Sequence, residues 1–277
     1  MRRSLRPTRI VFYLFVAVLV VVQVFPVAWL VVSSFRHNLE LSIDPFGLPK
    51  AFTLANYVTV FAKSNTLLYM RNSAIIAAIS LVLIVSTASM ASFSISKLRF
   101  RYRNQIFSYF LMGLTIPVVV TLIPLFSTYV RLGILDTYLS MILPMTAFSL
   151  PVSVLLFVNF FKFVPDEIVE AAVLDGCSTY GVFARIVFPL SMNTVVTVVA
   201  MNAIFIWNDF VFSLTFINRT ARKTISLGLQ DFIGSHGLTD WGATFAAICI
   251  STLPTLVVYF ALNKKVVGGM TLGAVKE

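Results

Sequence analysis

Hydrophobic positions in this chain fall into long unbroken runs. Six stretches carry no charged side chain: Ile10–Phe35, Asn72–Ser96, Asn104–Val130, Thr137–Phe161, Ile186–Asn208 and Trp241–Asn263, each 23 to 27 residues long. A helix needs about 20 mainly apolar residues to cross the hydrocarbon core of a bilayer. The pattern therefore predicts an all-α integral membrane protein with six transmembrane helices, in one domain spanning residues 1–277. Composition agrees, with 58% hydrophobic and only 12% charged residues, against about 25% charged in soluble domains.

The runs differ in character. The first follows a basic start and looks like a signal sequence, but it is too long, contains Pro26 and lacks a small-x-small cleavage site. It is expected to stay as a span over about Ile10–Ser34. The second is rich in Ser and Ala, from Ser73 to Ser92, which suits close packing inside a bundle. Pro117 and Pro124 lie in the third run, Pro144 and Pro151 in the fourth, where kinks are expected. The fifth helix should start near Phe188 and continue to about Ile217. Between spans, 35–71 holds the turn sequence Asp44–Pro49 and a short amphipathic helix over Phe52–Phe61, and 218–240 reads as a glycine-containing loop.

Charge sets the orientation. With six spans, one side receives thirteen of the 21 lysines and arginines, including Arg2, Arg3, Lys97, Arg99, Arg101, Arg103, Lys162 and Lys264. The other side receives eight, on longer segments. The positive-inside rule then puts both termini in the cytoplasm. This bias accounts for the net charge of +10 without any role in nucleic-acid binding. Cys177 and Cys249 fall in different environments and suggest neither a disulfide nor a metal site. No Gly-x-x-x-x-Gly-Lys-Ser/Thr segment is present, so the chain supplies no P-loop.

One cytoplasmic segment stands out, the 24 residues from Lys162 to Arg185. Pro165 suits a first helical position, Asp166 and Glu167 suit the positive end of a helix dipole, and Gly176 suits a C-terminal cap. Ser178 suits the cap of a second helix ending at Pro189. Ala171 and Ala172 should leave a flat surface for a partner's groove, with Glu170 and Asp175 as acceptors. The alternative is a surface amphipathic helix without a partner.

Glu170-Ala171-Ala172, then Gly176, then Ile186 and Pro189 resemble the coupling loop (162–187 here) of permeases from binding-protein-dependent ABC importers. Trp207-Asn208-Asp209-Phe210 and the Gly-Ala-Val-Lys ending resemble the sugar-uptake branch, the maltose and glycerol-3-phosphate type, and in particular its shorter second permease. Phe188 stands where that pattern usually has leucine. The resemblance implies the type I importer fold in a bacterial-type cytoplasmic membrane. It also implies a second permease subunit, two ATP-binding subunits and an extracytoplasmic solute-binding protein as partners. ATP would then bind the partner ATPase, with no cofactor on this chain. Glu170, Ala171, Ala172, Asp175, Gly176, Ile186 and Pro189 would couple to that ATPase, and Gly273 and Lys276 of the tail could touch it.

Asn202, Trp207, Asn208 and Asp209 form a candidate translocation path, since ring faces and amide or carboxylate groups suit sugar hydroxyls. Asp209 could equally pair with a neighbouring helix or cap a helix end. A secondary transporter is the alternative function, but that class usually carries several mid-membrane ionisable groups or paired broken spans. A membrane enzyme would need a catalytic cluster, which two isolated histidines and scattered acids do not form.

Overall fold

The absence of charge over 20 or more residues produces helices throughout, because a backbone in hydrocarbon must satisfy its own polar groups. In the computed structural model, which describes residues 7–233 and 239–272, the chain is helical with no strand among the described residues. The helices are α1 (Pro7–Ser33), α2 (Asn38–Ile43), α3 (Ala55–Lys63), α4 (Thr66–Lys97), α5 (Arg103–Met112), α6 (Val118–Leu132) and α7 (Tyr138–Phe161). They continue with α8 (Asp166–Leu174), α9 (Thr179–Val182), α10 (Phe188–Leu190), α11 (Met192–Trp207), α12 (Val211–Phe216), α13 (Ile225–Gly228) and α14 (Trp241–Leu272).

Among the described residues, four helices are long and apolar enough to cross a membrane alone: Val11–Ser33, Thr66–Lys97, Tyr138–Phe161 and Trp241–Leu262. Two further pairs pass only together. Arg103–Thr115 and Val118–Leu132 meet at 99°, and Thr179–Leu190 and Met192–Trp207 meet at 74°. The third apolar run is therefore not one rod. Pro117 sits outside α6 with ψ 131°, and its missing N–H and fixed φ end the helical ladder there. Pro144, Pro151 and Pro124 remain inside continuous helices.

Contacts group the residues into two compact units. The first comprises Met1–Thr66 and Gly228–Thr252. In it α1 exposes every side chain from Val11 to Ala28, as befits a helix apolar all round whose solvent is hydrocarbon. After α1 the chain folds tightly on a buried cation. Arg36, 2% exposed, donates to the carbonyls of Pro45 at 3.2 Å and Asp44 at 2.8 Å. Asn56 donates to the carbonyls of Ser34 and Arg36 at 2.8 and 2.7 Å. Its amide fills the space beside Gly242, where a Cβ would lie 2.5 Å from Oδ1. The segment expected as a turn with one amphipathic helix thus holds two helices, α2 and α3.

The second unit comprises Leu67–Leu227 and Leu253–Glu277. Its core gathers Ile76, Ile84, Met145, Phe157, Phe161, Val198, Phe212 and Phe216. The small residues of α4 are buried in part, with Ser73, Ser80, Ser89 and Ser92 inside and Ala74, Ala78, Ser86 and Thr87 exposed. Ser92 Oγ donates to the Val154 carbonyl at 3.1 Å, a contact that small residues allow by letting backbones approach. At the α5–α6 break Gly113 meets α7, and a Cβ there would sit 2.7 Å from Pro151 Cγ.

Candidate functional site

Helix α8 begins where Pro165 leaves extended geometry as the N-cap, one residue before the expected first-turn position. Asp166 and Glu167 occupy the first turn and complement the exposed N–H groups there. The helix ends at Gly176, whose φ is +82°. Two bonds close it: the Cys177 N–H donates to the Ala172 carbonyl, and the Gly176 N–H to the Val173 carbonyl, both at 3.0 Å. This is a Schellman cap, which requires a left-handed residue at that position. Ser178 Oγ then accepts the Gly181 N–H at 3.2 Å and starts α9.

Side chains one helical turn apart share a face. Glu167, Glu170, Ala171 and Leu174 all face solvent, with Leu174 88% exposed. Val169 and Ala172 turn the other way, into the core. Ala172, expected beside Ala171 on the outward surface, is therefore an inward contact. Its small side chain lets α8 lie close against its own chain. Val173 and Leu174, which the sequence did not single out, supply the apolar part of the outward surface, and Asp175 is exposed beside them.

The second helix departs from expectation. After α9 a five-residue π-helical turn, Phe183–Val187, closes through the Phe188 N–H on the Phe183 carbonyl. Pro189 explains it: proline offers no N–H and crowds the carbonyl four residues back, and a wider turn accommodates both. Helicity then continues past Pro189 to Leu190, and the chain bends at Ser191 instead. Ile186 is half-buried against the core, and Pro189 is exposed.

A residue that sequence reasoning missed holds α8 in place. Lys97, in the last turn of α4, has its side chain 4% exposed. Its Nζ donates to the Val164 carbonyl and, at 2.6 Å, to the Asp166 carboxylate. The hydrogen bond and charge of Lys97 hold the Asp166 carboxyl below its ordinary range. In the sequence Lys97 looked only like a topology signal.

The four candidate path residues do not converge on one open space. Asn202, 8% exposed, donates to Ser153 Oγ at 3.1 Å and the Val198 carbonyl at 2.8 Å, inside the α7–α11 packing. Asn208 is exposed and donates to the Ile204 carbonyl at 2.8 Å. The Trp207 carbonyl accepts from Ser226 Oγ at 3.1 Å. Asp209 accepts the N–H groups of Phe212 and Ser213 at 3.3 and 3.1 Å. It thereby caps α12, so the fifth helix breaks after Trp207 instead of running to Ile217. A cavity of about 440 Å³ opens at the α5–α6 break, lined by Tyr109, Gly113, Ile116, Phe148 and Pro151 among others, and by none of these four. Gly273 and Lys276 lie outside the described residues.

Comparison with known proteins identifies the frame in which α8 sits. A family described as "Binding-protein-dependent transport system inner membrane component" matches residues 84–268. The chain belongs to that family. It is a permease component and a multi-pass inner-membrane protein. It is 35% identical, over 98% of both chains, to the ORF2 product of a Caldicellulosiruptor species, named for an ABC transporter permease. It is 31% identical to a sulfoquinovosyl glycerol transport system permease of Agrobacterium fabrum, over 94% of this chain and 91% of that one. Identity to a trehalose/maltose transport system permease of Thermococcus litoralis is also 31%, over 97% of both. The fold matches a bacterial ABC transporter involved in import of the acidic polysaccharide alginate, with TM-score 0.81 and 18% identity, over 95% of this chain and 98% of that one.

Proposed function

We propose that this permease imports a sugar or related polyol as half of a permease heterodimer, with ATP hydrolysed on two separate subunits and solute delivered by an extracytoplasmic binding protein. Residues 1–277 act as one transmembrane domain. Each bent pair counts as one span, which makes six, and both termini and the loop 162–185 lie in the cytoplasm. The excess of Lys and Arg on that side supports this orientation. The sugar class draws support from the transport systems to which the relatives belong.

The observation that carries the coupling role is the state of α8. Its outward face of Glu170, Ala171 and Leu174 is exposed, yet the helix is capped at Gly176 and anchored through Asp166. A rigid exposed helix of this kind can transmit a push. Glu170 and Asp175 offer acceptors at the rim, Val173 and Leu174 an apolar contact, and Gly176 the turn. Ile186 and Pro189 act from behind, by shaping the π-helical turn that joins the loop to α11. Asn202 and Asp209 serve helix packing and capping in this reading, and the exposed Asn208 beside Trp207 is the member of the group left for solute.

Purification of the tagged chain from its native membrane in mild detergent tests the assembly. A P-loop ATPase and a second permease should co-purify in stoichiometric amounts. A single species that transports in vesicles without ATP overturns the reading. Glu170→Arg should leave the chain in the membrane while ATP hydrolysis no longer drives transport.

A further inference from the structure

Of the described membrane-crossing elements, α4 alone contains neither proline nor glycine. Its relatives in the fold are interrupted: Pro26 lies in α1, Pro144 and Pro151 in α7, Pro254 in α14, and the other two elements are bent pairs. Kinks form mostly at such residues, and α4 runs as one uninterrupted helix from Thr66 to Lys97. Both of its ends are tied to loops, and by buried polar side chains.

At one end Asn72, fully buried, donates from Nδ2 to the carbonyls of Ala221 and Lys223 at 3.0 and 2.9 Å. Its Oδ1 accepts from Tyr138 Oη at 2.8 Å. Ser73 Oγ accepts the Ile225 N–H at 2.9 Å. The turn 220–225 is thus fastened to the start of the rod, and the two residues just before it are held by Asp136. That residue holds a φ of +60°, accepts the N–H groups of Asn218 and Arg219 at 3.0 and 3.1 Å, and pairs with the Arg219 guanidinium at 2.9 Å. At the other end Lys97 grips Val164 and Asp166 at the root of α8. From residue 72 to residue 97 the rise of an α-helix covers about 38 Å, the full thickness of the hydrocarbon core and part of its interfaces. Along the way α4 buries Ile76, Ile84 and Phe93 in the core, and Ser92 Oγ donates to the Val154 carbonyl of α7.

We propose that α4 is a transmembrane strut that links the turn 220–225 on the outer side to the coupling helix on the inner side, with Asn72 and Lys97 as its two positioning residues. The inference rests on the importer reading above, which puts the ATPase at α8 and the binding protein at the far face. Movement of α8 on ATP binding then reaches the outer turn through one rigid element, and docking at the outer turn biases α8 by the same route. A buried lysine is suited to the inner joint because one ammonium joins the Val164 carbonyl and the Asp166 carboxylate, and its loss leaves the carbonyl of buried Val164 without that donor.

The test is nucleotide-dependent labelling across the membrane. Thr220, which is exposed, is changed to Cys in a chain carrying Cys177→Ser and Cys249→Ser, co-expressed with its partners in membrane vesicles. The rate of maleimide labelling at position 220 is compared with and without ATP plus vanadate. Without further changes the rate should shift several-fold. In Lys97→Met and in Asn72→Ala the ratio should fall to about one, whereas Lys97→Arg should keep it. A ratio that survives both disruptive variants overturns the strut. Should Lys97→Met not assemble, Asn72→Ala and Lys97→Arg decide, since the first leaves the coupling loop untouched and the second keeps the cation. If the parent complex neither traps nucleotide nor shifts its labelling, the importer reading itself has failed, and the strut with it.

Discussion

Gly176→Ala isolates the backbone contribution to α8. Gly176 has φ +82°, and a Cβ built there meets nothing within 4 Å. The substitution therefore costs no packing, only the left-handed conformation, about 1–2 kcal/mol for a residue with a Cβ. The Schellman bonds from Gly176 and Cys177 exist only in that conformation, so the cost appears as opening of the last turn of α8. At RT of about 0.59 kcal/mol, 1–2 kcal/mol corresponds to roughly 5–30-fold more opening. Hydrogen–deuterium exchange of peptides covering 170–180, in nanodiscs and without partners, reads it directly. The Cys177 amide should exchange roughly 5–30-fold faster in Gly176→Ala. Gly176→Asn should be milder, because asparagine tolerates this region, and Gly176→Val harsher. Exchange within twofold of the parent in Gly176→Val would refute the reasoning.

The Lys97–Asp166 pair makes a pH prediction. Lys97 depresses the folded-state pKa of Asp166, so the pair's contribution is fully present above the ordinary carboxylate range and is lost as pH falls through the depressed value. Protection of the 162–170 backbone should hold from neutral pH down to about 4 and weaken below it, and Asp166→Asn should remove the acid step; amide exchange at several pH values checks this. Gly113→Ala should lower thermal stability by about 1–3 kcal/mol through overpacking against Pro151, and adding Pro151→Ala should recover most of the loss in a melting assay. Asp209→Ala should cost about 1 kcal/mol as a lost helix cap, whereas Asp209→Asn keeps one of the two acceptor oxygens and should transport at near-parent rates. A transport collapse in Asp209→Asn with unchanged melting would instead assign the carboxylate to solute.

Much of this protein follows from local rules readable in one dimension. Freedom from charge over 23 to 27 residues leaves a segment in hydrocarbon no option but a helix. The caps at Gly176 and Ser178 were legible because each depends on its immediate neighbours: a left-handed turn needs glycine, and a first turn needs an acceptor. Residue size marked the small face of α4, but which of its members are buried (Ser80 and Ser89) and which exposed (Ala78 and Ser86) was decided by packing. Where the sequence misled, the deciding partner was distant or the helix had a competing local bond. Ala171 and Ala172 look alike in a row, but the 100° between successive helical positions sends one outward and the other into the core. Asp209 reads as an acid at membrane depth until the turn after Trp207 puts two N–H groups within its reach. Lys97 reads as a topology charge until folding brings Val164 and Asp166, 67 and 69 residues away, to its ammonium. Burial of a cation requires partners that only tertiary structure can supply. For that reason the position and rigidity of α8 were decided by the fold and not by the motif that marks it.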